Sequence, residues 1–430
     1  MDTLAGLKAG KLAGSTRLKL ACGLSEFPEE IFELADTLEE LDLTGNQLSR
    51  LPEDLGRLKH LRILFCSSNH FTELPACVGQ CPELSMIGFK ANRIVTVNAH
   101  SLPPKLRWLI LTDNCIESLP DAPGLYLGLQ KLMLSGNRLR ALPQSLAECD
   151  KLELLRLSAN RLEQLPDWLW RLPRLTWLAY AGNPLTVDYC TPHDSGTVAN
   201  IPWSALQLRH TLGEGASGII QQARWTERAM DVAVKLYKGT MTSDGSPLNE
   251  MVACIAAGEH PNLIKVEGRI SDHPLGSAGL VMDLIDPSYL NLAGPPSFAS
   301  CTRDVYPDDL KITALVLQRM IGGIAAVAAQ LHARGINHGD LYAHNILWHE
   351  AGDCLLGDFG AAGFYPRDDS DTARALERVE VRAFAVLLEE LLERCEDGPA
   401  ALWTLQRDCI QANVMARPSF NEILERITAL

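Results

Sequence analysis

The chain has 430 residues, of which 47% are hydrophobic and 21% charged, with a formal net charge of −14. That length exceeds one ordinary core and argues for two domains, and the composition excludes a disordered or fibrous chain. The acidic balance argues against a nucleic-acid binder, which would carry a basic patch or stripe.

At the N-terminus, Lys8, Lys11, Arg17 and Lys19 accompany no apolar core long enough for a signal peptide. The most apolar stretch, Ile321 to Leu331, is about half the length a membrane span needs and reads as a buried helix. Twelve cysteines are scattered along the chain, several where a small apolar residue is expected. Cys77 and Cys81 are four apart, but no second pair at metal-ligand spacing follows. Buried, reduced thiols are therefore expected, and with them a cytoplasmic location.

Residues 1–183 are periodic. Asparagines fall at Asn46, Asn69, Asn92, Asn114, Asn137, Asn160 and Asn183, at intervals of 23, 23, 22, 23, 23 and 23. Each sits in one frame, as in Leu152, Leu155, Leu157, Asn160, Leu162, Leu165 and Pro166. A short Leu-x-Leu strand turns two leucines inward, and no single repeat can bury that face, so stacked neighbours must share one core. The asparagine amide is suited to backbone groups of adjacent turns that would otherwise be buried unpaired. An earlier copy, Leu18, Leu20, Leu24, Phe27 and Pro28, lacks the asparagine, as a terminal cap does. The Leu-x-x-Leu-Pro frame resembles the intracellular leucine-rich repeats of Ras-associated scaffold proteins.

On such a solenoid, function is expected on the concave strand face. Its columns carry many apolar residues, centred on Phe65, Met86, Trp108 and Ile110. These are the candidate partner-binding residues, for a protein substrate or regulator. The alternative is that the second domain or a flanking loop packs on them.

The period stops after Asn183, and residues 184–203, with Thr191, Pro192, His193, Asp194, Ser195 and Gly196, read as a linker. From 204 to 430 the motifs change. Leu206 to Leu208 is strand-like and leads to Gly213, Gly215 and Gly218, glycines that let a backbone approach phosphates without Cβ clashes. A dinucleotide-binding turn should open into a helix, whereas Ile219 and Ile220 continue as strand. A second strand, Val232 to Lys235, follows. Glu250 stands ahead of His260, Pro261 and Asn262. Farther on come Ile336-Asn337-His338-Gly339-Asp340-Leu341-Tyr342-Ala343-His344-Asn345 and then Asp358-Phe359-Gly360.

This order of glycine loop, lysine, glutamate, aspartate, asparagine and aspartate resembles the protein-kinase family. The resemblance implies an α/β chain: a leucine-rich-repeat solenoid followed by a bilobal, α+β kinase fold that uses ATP and Mg2+. Lys235 would hold the α- and β-phosphates and Glu250 would orient it. Asp340 would act on the substrate hydroxyl, and Asn345 and Asp358 would bind magnesium. Gly213, Gly215, Gly218, Ile220 and Ala233 would line the nucleotide site. Leu280 to Ile285 resembles the gatekeeper and hinge, adding Asp283 and Ile285. Glu380 to Leu391 resembles the buried helix of the second lobe, and Cys409 to Phe420 its C-terminal signature.

The chain departs from that family at four places. Gly339 replaces the arginine that receives an activating phosphate. Tyr342 replaces a lysine near the γ-phosphate of serine/threonine kinases, and His344 stands where tyrosine kinases carry arginine. Only 22 residues separate Asp358 from Glu380, and no Ala-Pro-Glu closes the segment; Ala375-Leu376-Glu377 is a faint echo, and Glu377 a candidate partner for Arg417. The acidic run Asp368, Asp369, Ser370 and Asp371 reads as a solvated loop. Three functions are carried forward: a protein kinase whose repeats recruit a partner, a nucleotide-binding pseudokinase scaffold, and a small-molecule phosphotransferase.

Overall fold

Each Leu-x-Leu segment of the repeats forms a three-residue strand in the computed structural model, which describes residues 3–189, 198–239, 241–367 and 370–430. The chain divides into two units, Met1–Leu172 and Pro173–Leu430. The division falls inside the last repeat, eleven residues before Asn183.

In the first unit a short helix, α1 (Leu4–Lys8), precedes seven strands: β1 (Arg17–Lys19), β2 (Glu40–Asp42), β3 (Ile63–Phe65), β4 (Met86–Gly88), β5 (Trp108–Ile110), β6 (Lys131–Met133) and β7 (Leu154–Arg156). Successive strands pair in parallel, with Leu18, Leu41, Leu64, Ile87, Leu109, Leu132 and Leu155 in one register column. All seven are buried, so one apolar column runs through the stack. The asparagines complete it. Asn137 Nδ2 donates to Leu111 O and Leu134 O at 2.9 Å each, while its Oδ1 accepts from Ile116 N at 3.0 Å. One side chain thus satisfies three backbone groups of neighbouring turns.

The second unit begins with β8 (Trp177–Ala179). Of the expected linker, Pro184–Tyr189 is a helical turn and Ala199–Pro202 is a strand, β9; Thr191 to Gly196 lie outside the described residues. Next come β10 (Leu206–Glu214), β11 (Gly218–Trp225), β12 (Met230–Tyr237), helix α2 (Pro247–Ala257), β13 (Val266–Ser271) and β14 (Gly279–Asp283). They form a six-stranded sheet in the order β10-β11-β12-β14-β13-β9. The period of two along β12 sorts its side chains. Val232 and Val234 enter one cluster with Trp225 and Val281, and Ala233 and Tyr237 enter another with Leu280 and Met282. Lys235 shares the parity of Ala233 and Tyr237. Helix α2 starts where Ser246 caps it and Pro247 takes the first position, and stops at Gly258, φ +69°.

The remainder is mostly helical: β15 (Leu290–Asn291), α3 (Ala314–Ala333), β16 (Ile336–Asn337), β17 (Ile346–Trp348), β18 (Cys354–Leu356), β19 (Gly363–Phe364), α4 (Ser370–Leu392), α5 (Ala400–Cys409) and α6 (Phe420–Thr428). By length and composition alone α3 could cross a membrane. Here Leu317, Met320, Ile321, Ile324, Val327 and Leu331 bury one face of it, and α3 packs on α4 and α6. Asp368 and Asp369 of the acidic run lie outside the described residues, as does the side chain of Ser370; Asp371 falls in the first turn of α4. Ala375, Leu376 and Glu377 lie within α4, so they close no segment. Arg417 is buried, but it does not meet Glu377: it donates to Gln411 O, Arg378 O and Pro173 O, at 2.9, 2.9 and 2.8 Å. The Glu377 carboxylate instead accepts from Phe420 N at 2.9 Å, at the start of α6.

Candidate active site

Strand β16 ends at Asn337 and releases the loop 338–342, which a helical turn, Ala343–Asn345, closes before β17. The turn brings Asn345 back to Asp340. Its Nδ2 donates to both the carbonyl and the Oδ2 of Asp340 at 2.9 Å each, which leaves Oδ1 as the asparagine's ligand atom. The five-residue spacing in the sequence is the span of this turn. The Asn345 carbonyl accepts from Gly357 N at 2.9 Å, tying the loop to the residue before Asp358.

Asp358 is exposed and holds φ +51°, a left-handed conformation uncommon for a residue other than glycine. Gly360 N donates to its Oδ1 at 3.1 Å. His338 locks the two loops together: its Nε2 lies 3.0 Å from Gly357 O, its Nδ1 accepts from Asp340 N at 3.3 Å, and its ring sits 5.0 Å from that of Phe359.

Behind this loop lies a carboxylate that the sequence reading assigned only to a helix. Glu380 of α4 is fully buried. It accepts from Gly339 N at 2.7 Å and His338 N at 3.3 Å, and its Oε2 lies 2.7 Å from His332 Nε2. Burial pushes its carboxyl upward, but His332, His338 and the Gly339 N–H outweigh that and hold it below the usual carboxylate range. One buried carboxylate therefore anchors both residues that precede Asp340. His344 has a second anchor in Asp304, whose carboxylate accepts from His344 N at 3.0 Å and pairs with Nδ1 at 2.7 Å. Burial lowers the imidazole pKa, and Asp304 more than reverses that, raising it. Neither Glu380 nor Asp304 belongs to a spaced motif, so composition and order carried no signal for them.

On the sheet side, Lys235 of β12 and Glu250 of α2 form an ion pair, 13% and 1% exposed. Burial alone would lower the lysine pKa; Glu250, aided by Asp358, raises it instead. The Asp358 charge also acts on Glu250, and His344 responds to both Asp340 and Asp358. Lys235, Glu250, Asp340, Asn345 and Asp358 thus occupy one electrostatic neighbourhood.

The glycines divide into two kinds. A Cβ at Gly213 or Gly215 would meet nothing within 4 Å, whereas one at Gly218 would lie 2.5 Å from Leu236 O. Gly218 is required by the close approach of β12, and Gly213 and Gly215 leave open space at the hairpin tip. Ile220 packs on the cluster of Ala233, Leu280 and Met282. Asp283 closes β14, its N–H donating to Lys265 O at 3.0 Å, and Ile285 is half-buried just beyond it.

The candidate partner residues lie on adjacent strands of the first unit: Phe65 on β3, Met86 on β4, Trp108 and Ile110 on β5. They are less open than the repeat geometry leads one to expect. Met86 is buried and the other three half-buried. The Lys131 ammonium lies 4.2 Å over the Trp108 ring, whose Nε1 is 3.2 Å from Met133 Sδ.

The donor set fits MgATP. Among the described residues no group of three or more His, Cys, Asp or Glu gathers to hold a metal. One carboxylate and one amide oxygen suit magnesium, which keeps waters and takes phosphate oxygens for the rest. Bound there, the ion would neutralise charge on the transferring phosphoryl group. Lys235 would be the fixed cation for the phosphates, and Asp340, held by Asn345, would be the carboxylate beside the acceptor.

Comparison with known proteins finds leucine-rich repeats followed by a kinase domain. The family described as "Protein tyrosine and serine/threonine kinase" matches residues 206–390; "Leucine rich repeat" matches 128–185, and the leucine-rich repeats of "Leucine-rich repeat and WD repeat-containing protein 1" match 23–116. A protein of Acanthamoeba polyphaga mimivirus whose name includes serine/threonine-protein kinase L673 is 27% identical over 188 residues, 43% of this chain and 31% of its own. The Abelson murine leukemia virus tyrosine-protein kinase transforming protein Abl is 25% identical over 262 residues, 51% of this chain and 33% of its own. Human PH domain leucine-rich repeat-containing protein phosphatase 1 is 33% identical over 92 residues, 21% of this chain and 5% of its own. The chain thus spans about a third or less of the length of these relatives. It is a leucine-rich-repeat protein with a kinase domain. That domain belongs to the protein tyrosine and serine/threonine kinase family.

Proposed function

We propose that the chain transfers the γ-phosphoryl group of MgATP to a serine or threonine hydroxyl of a protein, and that its repeats recruit the protein partner or substrate. The observation that carries the reading is the buried Lys235–Glu250 pair beside the bonded Asp340–Asn345 pair and Asp358. Such catalysis consists mostly of positioning and charge neutralisation, and these side chains supply both. Relatives whose names include serine/threonine-protein kinase, from mimivirus and Arabidopsis thaliana, support the acceptor class. The strand columns of Phe65, Met86, Trp108 and Ile110 are the candidate recruiting face. Eleven described cysteines are free thiols, which supports a reducing, cytoplasmic location.

A second reading, a nucleotide-binding scaffold without transfer, is favoured by the short run from Asp358 to α4, which begins at Ser370. Labelled ATP with magnesium and a generic protein substrate separates the two. Label on protein, lost in Asp340→Asn and Lys235→Ala, is the expected result. Magnesium-dependent nucleotide binding without label would leave only the scaffold.

A further inference from the structure

In the second unit, the last repeat lies directly against the catalytic loop. Trp177 Nε1 donates to Leu341 O at 3.1 Å, one residue past Asp340. On the other side of Asp340, Asn337 Nδ2 donates to Leu178 O at 3.0 Å. The Trp177 ring stacks on Tyr342, centroids 4.0 Å apart and planes 9° from parallel. Gly339, at φ +73°, has Leu178 O only 2.5 Å from where a Cβ would stand. The loop is therefore held at residues 337, 339, 341 and 342, on both sides of the catalytic carboxylate.

The same repeat is bound from below. Arg382 of α4 donates to Arg174 O at 3.2 Å and Thr176 Oγ1 at 3.1 Å, and Arg417 to Pro173 O. A Cβ on Gly363 would lie 2.8 Å from the Tyr180 ring, so the strand that follows Asp358-Phe359-Gly360 is also shaped to this repeat. Meanwhile the chain from Ala361 to Arg367 contains one hydroxyl, Tyr365, which is buried and 2.7 Å from His332 Nδ1. That stretch presents no phosphate acceptor, the next hydroxyls being Ser370 and Thr372 at the start of α4, and at position 339, where an arginine would receive such a phosphate, only a glycine fits.

We infer that the last repeat, Pro173–Asn183, is the built-in positioning element for Asp340, with Trp177 its central positioning residue, so that phosphoryl transfer needs no prior phosphorylation of this chain. The inference rests on the phosphotransfer reading above. Trp177 bonds to the loop backbone at Leu341 and stacks on Tyr342, so it acts through the loop, where small displacements of a reacting group are costly in rate.

The test uses the full chain as wild type, Trp177→Phe, which keeps an aromatic ring on Tyr342 and removes the N–H donor, and Trp177→Ala. Wild type is assayed before and after phosphatase treatment. For Trp177→Phe the expected result is a native circular-dichroism spectrum, an MgATP Kd within about twofold of wild type and a transfer rate about tenfold lower. The phosphatase-treated wild type keeps its rate. A folded Trp177→Phe with the wild-type rate, or a wild type that loses its rate to phosphatase, overturns the inference. If the wild type binds MgATP but transfers nothing, the phosphotransfer reading falls separately. Hydrogen exchange of amides 338–342 then decides positioning: faster exchange in Trp177→Phe supports it, and unchanged exchange in both variants overturns it.

Discussion

The indole of Trp177 and the phenol of Tyr342 lie face to face, although 165 positions separate them in the chain. Both are buried. A stacked pair contributes about 1 kcal/mol beyond the area it buries. Denaturant unfolding of Trp177→Leu, Tyr342→Leu and the double variant should give a coupling energy of about that size. Additive single effects would remove the pair as a stabilising contact.

The Lys235–Glu250 pair makes a pH-dependent prediction. Burial and Asp358 push the Glu250 pKa upward, and Lys235 opposes them. Lys235→Ala removes that opposition, so the folded-state pKa of Glu250 rises further above its unfolded value. A raised carboxyl pKa favours folding at low pH and loses that contribution as pH rises through the folded value. The deficit in Tm of Lys235→Ala relative to wild type should therefore be smaller at pH 5 than at pH 8. An equal deficit at both values would show that Glu250 does not take up the proton.

His344, held by Asp304, makes a second pH-dependent prediction of the same sign. The raised imidazole pKa lies above the ordinary 6.5, so the stability it confers is complete below about pH 6.5 and fades as pH rises through the folded value. Asp304→Asn should flatten this dependence and return the His344 titration, followed by NMR, toward or below its ordinary value. A His344 titration unchanged in that variant would contradict the assignment.

The asparagine ladder gives a purely structural test. Asn137→Ala leaves Ile116 N without its partner, while Leu111 O and Leu134 O each lose one of two asparagine donors and keep Asn114 Nδ2 and Asn160 Nδ2 at 3.0 Å. Leaving one buried donor unpartnered costs about 1–3 kcal/mol. Urea unfolding should show that loss. Asn137→Ser, too short to span the neighbouring turns, should recover little of it.

How much of this was legible depended on how local the physics is. The asparagine interval is a repeat length, and the interval from Asp340 to Asn345 is one turn of chain, so both appear as spacings. The order of Lys235, Glu250 and Asp358 was readable because each chemical type sits in a recognisable local frame. Glu380 was placed on a buried helix by resemblance, but its role was not readable, because its partners at 338 and 339 lie some forty residues away in the chain. Trp177 was hidden as well. It holds the same place in its repeat frame as Glu40, Met86 and Trp108 hold in theirs, and only its long-range bond to Leu341 O separates it from them. Tyr342 and Gly339, read as departures from the kinase pattern, turn out to be the surfaces that Trp177 and Leu178 require. The openness of the strand face was overestimated because spacing reveals which side a residue occupies and not what neighbouring side chains, such as Lys131 over Trp108, lay across it.

The break at Leu172 also says where such a protein can be recombined. A chimaera that swaps repeat arrays at the end of the periodic sequence, after Asn183, would carry the whole of Pro173–Asn183 away from the loop it holds. A cassette joined between Leu172 and Pro173 keeps that brace with its loop. The repeat array can then lengthen, shorten or change its surface by whole coils, while its final coil stays inherited with the chemistry.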